Sequence, residues 1–527
     1  MSSFRSGSIY RNSFIEIKNS DSPFLLLMLL LAAAATIMPQ EIVAALLATV
    51  VFFSLVKVGG RRFNLLISVL LLQLTSSAMD PVIRVTVIGW SFVSLIWFGF
   101  VDNKEITEDG EKPETKAFET TNSTQLPAGL VWLFIFTVFS MTLSSLLSIG
   151  PIKALSATFR QLIFFVFVWL TYNNIRSFKD VKLVLYSLIF MGALNAYGIF
   201  HTILSEGITA ATLVAGPIRF IGFFKYINMN FAGTTIAIAS VLLLILTHLT
   251  NSKNNSEPAA NNPTADGQTE EAHLPANNEK HIPFVKIINV LFTIVLFLFV
   301  LISNSRASML VALLGFLFFF LIVHPKSRII LAGAVALITF SVILIPPVHD
   351  FVFLIFRAQN FLNIRDYLWA MSWDVIKDNP FFGTGPDLFK DYFYRYMTAP
   401  EGSYAHYMIT NLYLEAGDSG LSHNFLLFRL TEVGIGGLIT ALWMPGAFFF
   451  YCGKTLRLLK KKNRNGYIIV AGITALGVGM VARTMFESIG LLTHGWLMVD
   501  LPFWLCFLVV IFYYQRFSEN KNPVKNG

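Results

Sequence analysis

At 527 residues the chain is long enough for several soluble domains, but 55% hydrophobic content against 13% charged residues excludes an ordinary soluble protein. With a mean hydropathy of +0.64, it reads as a polytopic membrane protein. A net charge of +8 would suggest a nucleic-acid partner for a soluble chain; here the distribution of charge among loops carries the information.

Basic residues Arg5, Arg11 and Lys18 precede an apolar run, Pro23 to Met38, that has the form of a signal peptide but reads as a retained anchor because many spans follow. Further spans fit 41–58, 64–79 and 82–101, near the ~20 residues that cross ~30 Å of hydrocarbon. A charged linker covers 102–127, and spans then fit 128–149, 157–172 and 183–204. The stretch from Gly216 to Gly222, which holds Arg219, breaks helix periodicity before a span at 231–248. Residues 250–283, rich in Asn, Pro, Ala and Glu, are expected to form a disordered loop.

Three more spans fit 284–302, 307–323 and 329–348, the first two joined by Ser303-Asn304-Ser305-Arg306. A long polar, aromatic-rich segment follows, and spans at 425–451, 467–486 and 497–515 close the chain. Four regions result: N-terminal spans (1–204), central spans with Arg219 and Arg306 (205–348), the long segment (349–424) and C-terminal spans with a polar tail (425–527). Cys452 and Cys506 fall in or at the end of spans, without metal-ligand spacing, and read as packing residues.

If the N-terminus is cytoplasmic, alternate loops hold about two thirds of the 39 basic residues, as the positive-inside rule requires, and both termini are inside. The cations left on the outer side are Arg84, Lys153, Arg160, Arg219, Lys225, Arg306, Arg429 and Arg483, plus five in the long segment. Snorkelling accounts for Arg84 and Arg160, and an i,i+3 salt bridge with Glu432 accounts for Arg429. Arg219 and Arg306 have no acidic residue within a helical turn and stand at chain breaks on one face. A guanidinium there suits a phosphate. A ligand with phosphate at the outer interface and a long apolar tail would be a polyprenyl diphosphate.

In the long segment, Asp350 to Leu362 has the pattern of an interfacial amphipathic helix. A second helix is expected over Asp366 to Asp378, ended by Asn379-Pro380, and a third over Asp387 to Tyr396, carrying Lys390 and Arg395. Tyr404, His406, Tyr407 and Tyr413 offer rings that suit either sugar stacking or interface anchoring. His423, before the twelfth span, has the side chain suited to general-base work near neutral pH.

Ser422-His423-Asn424-Phe425-Leu426 followed by Glu432-Val433-Gly434-Ile435-Gly436-Gly437 resembles the signature of the O-antigen ligase and polymerase superfamily. Arg365 with Trp369, then Pro380 and Gly383-Thr384-Gly385, resembles its Arg-x-x-x-Trp and Pro-x-x-Gly-x-Gly stretch. Ser305-Arg306-Ala307 and Arg219-Phe220-Ile221-Gly222 match its other arginine positions. The resemblance covers about residues 210–440; the first 200 residues match only as a hydrophobic pattern.

That resemblance implies an all-α, GT-C-like bundle of about 12–14 transmembrane helices with a helical periplasmic loop, in the bacterial inner membrane. It implies an inverting, metal-independent glycosyltransferase with no cofactor, using an undecaprenyl diphosphate-linked glycan as donor. The acceptor would be a hydroxyl of lipid A-core for a ligase, or another lipid-linked glycan for an O-antigen or exopolysaccharide polymerase. Arg219 and Arg306 would bind the diphosphate and His423 would take the hydroxyl proton, with Arg365, Asn424, Lys390, Arg395, Arg429 and Arg483 as supporting candidates. The reading from another class, a lipid-linked glycan transporter, predicts internal repeats and broken helices near mid-membrane; the polar features gather instead at one face.

Overall fold

The computed structural model describes residues 60–75, 81–101, 125–209, 220–221, 226–227, 229–252, 282–350, 364–411 and 422–518. The chain is an all-α polytopic membrane protein, its described β structure limited to a two-residue ladder pairing β1 (Phe220–Ile221) with β2 (Tyr226–Ile227). Residues 60–74 form α1, and α2 (Pro81–Ile96) continues as a π turn, Trp97–Val101. There follow α3 (Ala128–Leu146), α4 (Pro151–Asn174), α5 (Phe178–Ser205), α6 (Met229–Ser252), α7 (Ile282–Ile302), α8 (Arg306–Val323) and α9 (Arg328–Leu344). The long segment contributes α10 (Arg365–Asp378) and α11 (Tyr404–Met408), before α12 (Phe425–Leu459), α13 (Arg464–Arg483) and α14 (Leu497–Ser518). Among the described residues, eight helices are long and apolar enough to cross a membrane, and three shorter apolar helices join them. The spans expected at Pro23–Met38 and 41–58, the amphipathic helix to Leu362, most of the 250–283 loop, and Arg219 lie outside the described residues.

Local sequence sets the helix starts. Pro151 at the first turn of α4 gives up an amide that would have no helical partner, so the helix begins six residues before the expected position. Ser177 and Asp180 form a capping box on α5. Ser305, Asn424 and Asn463 cap α8, α12 and α13 through side-chain oxygens that accept backbone N–H groups. α8 packs along α13; a Cβ at Gly479 would stand 2.6 Å from the carbonyl oxygen of Val311, so only glycine permits the approach. Buried on nearly its whole circumference, α14 packs Trp504 against Phe134 and Phe165.

Polar ties separate the two ends of the bundle. At one end Asp180, fully buried, holds Arg61 at 2.9 Å and Arg62 at 3.3 Å, and Arg176 donates to the carbonyl oxygen of Phe98 at 2.8 Å. His248 and His324 meet at 2.7 Å at the far ends of α6 and α8, the same end of the alternating chain. At the opposite end lie the 147–150 turn, the start of α6, the α7–α8 junction, the long segment and the α13–α14 connection.

The twelfth span differs from expectation. α12 runs 35 residues, about 52 Å at 1.5 Å per residue, and is broken at Gly434 (φ 64°, ψ −150°). Into that break fits the turn after α10: Ile435 donates to Pro380 at 3.2 Å, Thr384 to Thr431 at 2.9 Å and Gly385 to the Glu432 carbonyl at 3.0 Å. A Cβ on Gly383 would meet Glu432 backbone at 2.4 Å, and one on Gly434 would meet the Phe381 carbonyl at 2.2 Å.

The helix expected over Asp387 to Tyr396 is absent; only a 3₁₀ turn, Phe389–Tyr392, forms there. Asp387 is held at φ 66°, with its N–H on Glu432 and its carboxylate on Arg160, in a conformation that cannot open an α-helix. The described part of the long segment has a small core of its own, including Leu368, Met371, Val375, Phe389, Phe393 and Ile409.

Candidate active site

His423 stands one residue before the cap of α12, in the left-handed region at φ 50°. The backbone on its C-terminal side is fastened to the α13–α14 connection. Asn424 donates its backbone N–H to Ser488 Oγ at 3.1 Å and its Nδ2 to the Met485 carbonyl at 3.1 Å. Phe425 N–H reaches the Thr484 carbonyl at 2.9 Å. These bonds oppose His423 to Glu487, and Nδ1 of the imidazole lies 3.2 Å from Glu487 Oε2.

The other carboxylate oxygen is also occupied. Glu487 Oε1 accepts from Arg365 Nη2 at 2.9 Å and from Asn230 Nδ2 at 2.8 Å. Arg365, the first residue of α10, additionally donates through Nε to the Phe486 carbonyl at 3.1 Å. Asn230, in the first turn of α6, accepts through Oδ1 from Ser305 Oγ at 2.8 Å. Ser305 caps α8, whose first residue is the half-buried Arg306. Three stretches remote in sequence thus converge on one carboxylate, the start of α6, α10 and the residues before α12, and the α7–α8 junction joins them through Asn230.

Burial alone would push the Glu487 carboxyl up, but His423, Arg365 and Arg483 beside it prevail and bring it down to about 2. Arg483 is buried too, its Nη1 donating to the Ile489 carbonyl at 2.6 Å. The result is an imidazole beside a buried, ionised carboxylate, at a membrane face, with guanidinium groups around it. Such a constellation can take a proton and offset charge that develops on an oxyanion.

Not every sequence candidate reaches this point. Arg365, Asn424 and Arg483 belong to the cluster, whereas Lys390 and Arg395 form no hydrogen bond or ion pair with His423 or Glu487. Arg395 is 73% exposed, 4.0 Å from Asp378 and over the Tyr396 ring. Arg429 does not pair with Glu432 as expected; it is wholly buried, with Nη2 on Thr440 Oγ1 at 3.2 Å. Glu432 turns instead to His494 Nε2 and to the Asp387 N–H at 3.0 Å, because the strap docked at Gly434 brings Asp387 to it. Nor does Arg160 snorkel: it bonds Asp387 at 3.1 Å, and Lys153 bonds Asp391 at 2.7 Å. A shallow cleft of about 560 Å³ beside these pairs is lined by Lys153, Ser156, Arg160 and Asp387, on the Glu432 side of the face rather than at His423.

Sequence reasoning missed Glu487, Asn230 and His494. A signal for Glu487 was present: it is the one acidic residue between Arg483 and Asp500, four positions after an arginine that needed a counter-charge. Asn230 and His494 carry no comparable mark.

A family model described as O-antigen ligase matches residues 291–442. The match holds Arg306, Arg365 and His423 and stops short of Arg483 and Glu487. No curated protein matches the chain.

Proposed function

We propose, from the O-antigen ligase family model that matches residues 291–442, that the chain is a member of the O-antigen ligase and polymerase superfamily and a membrane glycosyltransferase of the ligase type. It transfers a glycan from undecaprenyl diphosphate to a hydroxyl of lipid A-core at the periplasmic face of the inner membrane. Both termini are cytoplasmic, and the end of the bundle that holds His423 faces the periplasm. The observation that carries this reading is the chain of contacts from Ser305 through Asn230 and Glu487 to His423. It links the start of α8, where Arg306 stands, to the one histidine of the family-like Ser-His-Asn motif.

In the proposed reaction His423 takes the acceptor hydroxyl proton as the oxygen attacks the anomeric carbon. The bond from that carbon to the diphosphate oxygen breaks, its electron pair leaves with undecaprenyl diphosphate, and the configuration inverts. Arg306 and Arg219 offset the charge on the departing diphosphate, and neither step calls on a metal. Tyr404 and Tyr407, exposed on the long segment, are suited to sugar rings of the acceptor.

Transfer in vitro, with a defined undecaprenyl diphosphate-glycan and either lipid A-core or a second lipid-linked glycan, with and without EDTA, tests the reading. Product on lipid A-core supports the ligase; elongated lipid-linked product alone makes the enzyme a polymerase. His423→Ala should lose on the order of 10²–10⁴-fold in rate at normal protein level. Arg306→Ala should weaken donor binding by about 10- to 100-fold. Wild-type turnover by His423→Ala would remove the general-base role.

A further inference from the structure

We infer that Glu487, from the α13–α14 connection outside the family-matched stretch, is the positioning residue that keeps the His423 proton on Nδ1 and the lone pair on Nε2. This inference rests on the proposed base role of His423.

The argument begins with donors and acceptors. An ionised carboxylate only accepts hydrogen bonds, so Nδ1 of His423, 3.2 Å from Glu487 Oε2, must be the N–H donor. A neutral imidazole with its proton on Nδ1 carries its lone pair on Nε2, where the acceptor hydroxyl would give up its proton. Glu487 cannot swing away, since Oε1 is held by Arg365 Nη2 and Asn230 Nδ2 at 2.9 and 2.8 Å. His423 is restrained as well, by the bonds that fasten Asn424 and Phe425 to residues 484–488. Once Nε2 has taken a proton, the same carboxylate faces the imidazolium and lowers its energy.

Arg365 and Asn230 make the substitution Glu487→Gln unusually informative. Both present N–H groups to the Oε1 position, so a glutamine must keep its amide oxygen there and turn its NH₂ toward His423. Nδ1 would then have to accept, and the ring would carry its proton on Nε2, the wrong tautomer for a base. The side chain is otherwise the same size and keeps a hydrogen bond to every neighbour.

The test compares wild type, Glu487→Gln, Glu487→Asp and His423→Ala as full-length protein in detergent, by transfer kinetics and by ¹⁵N-histidine spectra. The His423 resonances are assigned as those absent in His423→Ala. The expected wild-type ring is Nδ1–H, and Glu487→Gln should be Nε2–H, with kcat reduced at least about 100-fold and donor KM within about threefold. In the Ser-His-Asp enzymes the corresponding amide costs ~10⁴ in kcat. Glu487→Asp should retain the Nδ1–H tautomer and recover part of kcat.

Unchanged activity in Glu487→Gln overturns the inference. So does lost activity with the wild-type tautomer, because the carboxylate would then be merely structural. If His423→Ala itself is active, the base role has failed; if it is inactive while Glu487→Gln is fully active, only the role of Glu487 has failed.

Discussion

His423 has a backbone φ of 50°, in the left-handed region that non-glycine residues seldom occupy. Such a conformation costs about 1–3 kcal/mol and persists where neighbouring bonds over-determine it, as the ties of Asn424 and Phe425 to residues 484–488 do here. The partner across the site, Glu487, has a pH signature with a definite sign. Its folded carboxyl lies at about 2, below the ordinary 4.5. The pairing therefore stabilises the fold fully above about 4.5, and that contribution is lost as pH falls toward 2. Thermal unfolding in detergent should show the stability gap between wild type and Glu487→Gln closing over that window; a gap constant from pH 6 to 2 would contradict it. His423 was legible because its neighbours form a contiguous motif. Its pairing with Glu487 was not: the sequence marks Glu487 only as a counter-charge for Arg483, and only the fold brings it to His423, 64 residues away.

Between residues and bundle, the break in α12 decides how the long segment sits. In the sequence, Gly434-Ile435-Gly436-Gly437 marks a family-like stretch and nothing more. In the fold, Gly434 is the point where the helix leaves its path so that the turn after α10 can bond to its exposed backbone. Gly434→Ala should cost at least about 2 kcal/mol, since it adds strain at φ 64° and a Cβ 2.2 Å from a carbonyl oxygen. A lowered melting temperature and faster proteolysis within 380–402 would check this. Glu432→Ala leaves His494 and the Asp387 N–H without their shared acceptor, which should cost about 1–3 kcal/mol and loosen the same strap. By contrast, Lys153→Ala removes a pair that is 43% and 37% exposed and should change stability by no more than about 1 kcal/mol. The missing helix at 387–396 follows from the same docking: propensity favoured a helix there, and tertiary bonds to Glu432 and Arg160 overrode it.

For the molecule as a whole, alternating basic loops in the sequence anticipated two chemically distinct ends, and the described helices group in that order. Arg61, Arg62 and Arg176 gather with Asp180 at one end; His423, Arg365 and Arg306 lie at the other. Orientation in the membrane is checked by cysteine accessibility, with little background because Cys452 and Cys506 are buried. A cysteine at the exposed Lys377 should react with a membrane-impermeant maleimide in cells with a permeabilised outer membrane, and one at the exposed Lys461 only after lysis. The reverse pattern would invert the topology.

The fastening of residues 423–425 to 484–488 also bears on where this protein can be divided. The family-matched stretch ends at 442, yet a graft cut there would take His423 without Glu487, and Arg365 without the carbonyl and carboxylate that hold it. α13 and α14 are therefore not interchangeable anchors following a finished site. Any chimera built on this chain should carry residues 364–518 as one piece, because the last loop of the bundle completes a site whose other parts were laid down far earlier in the chain.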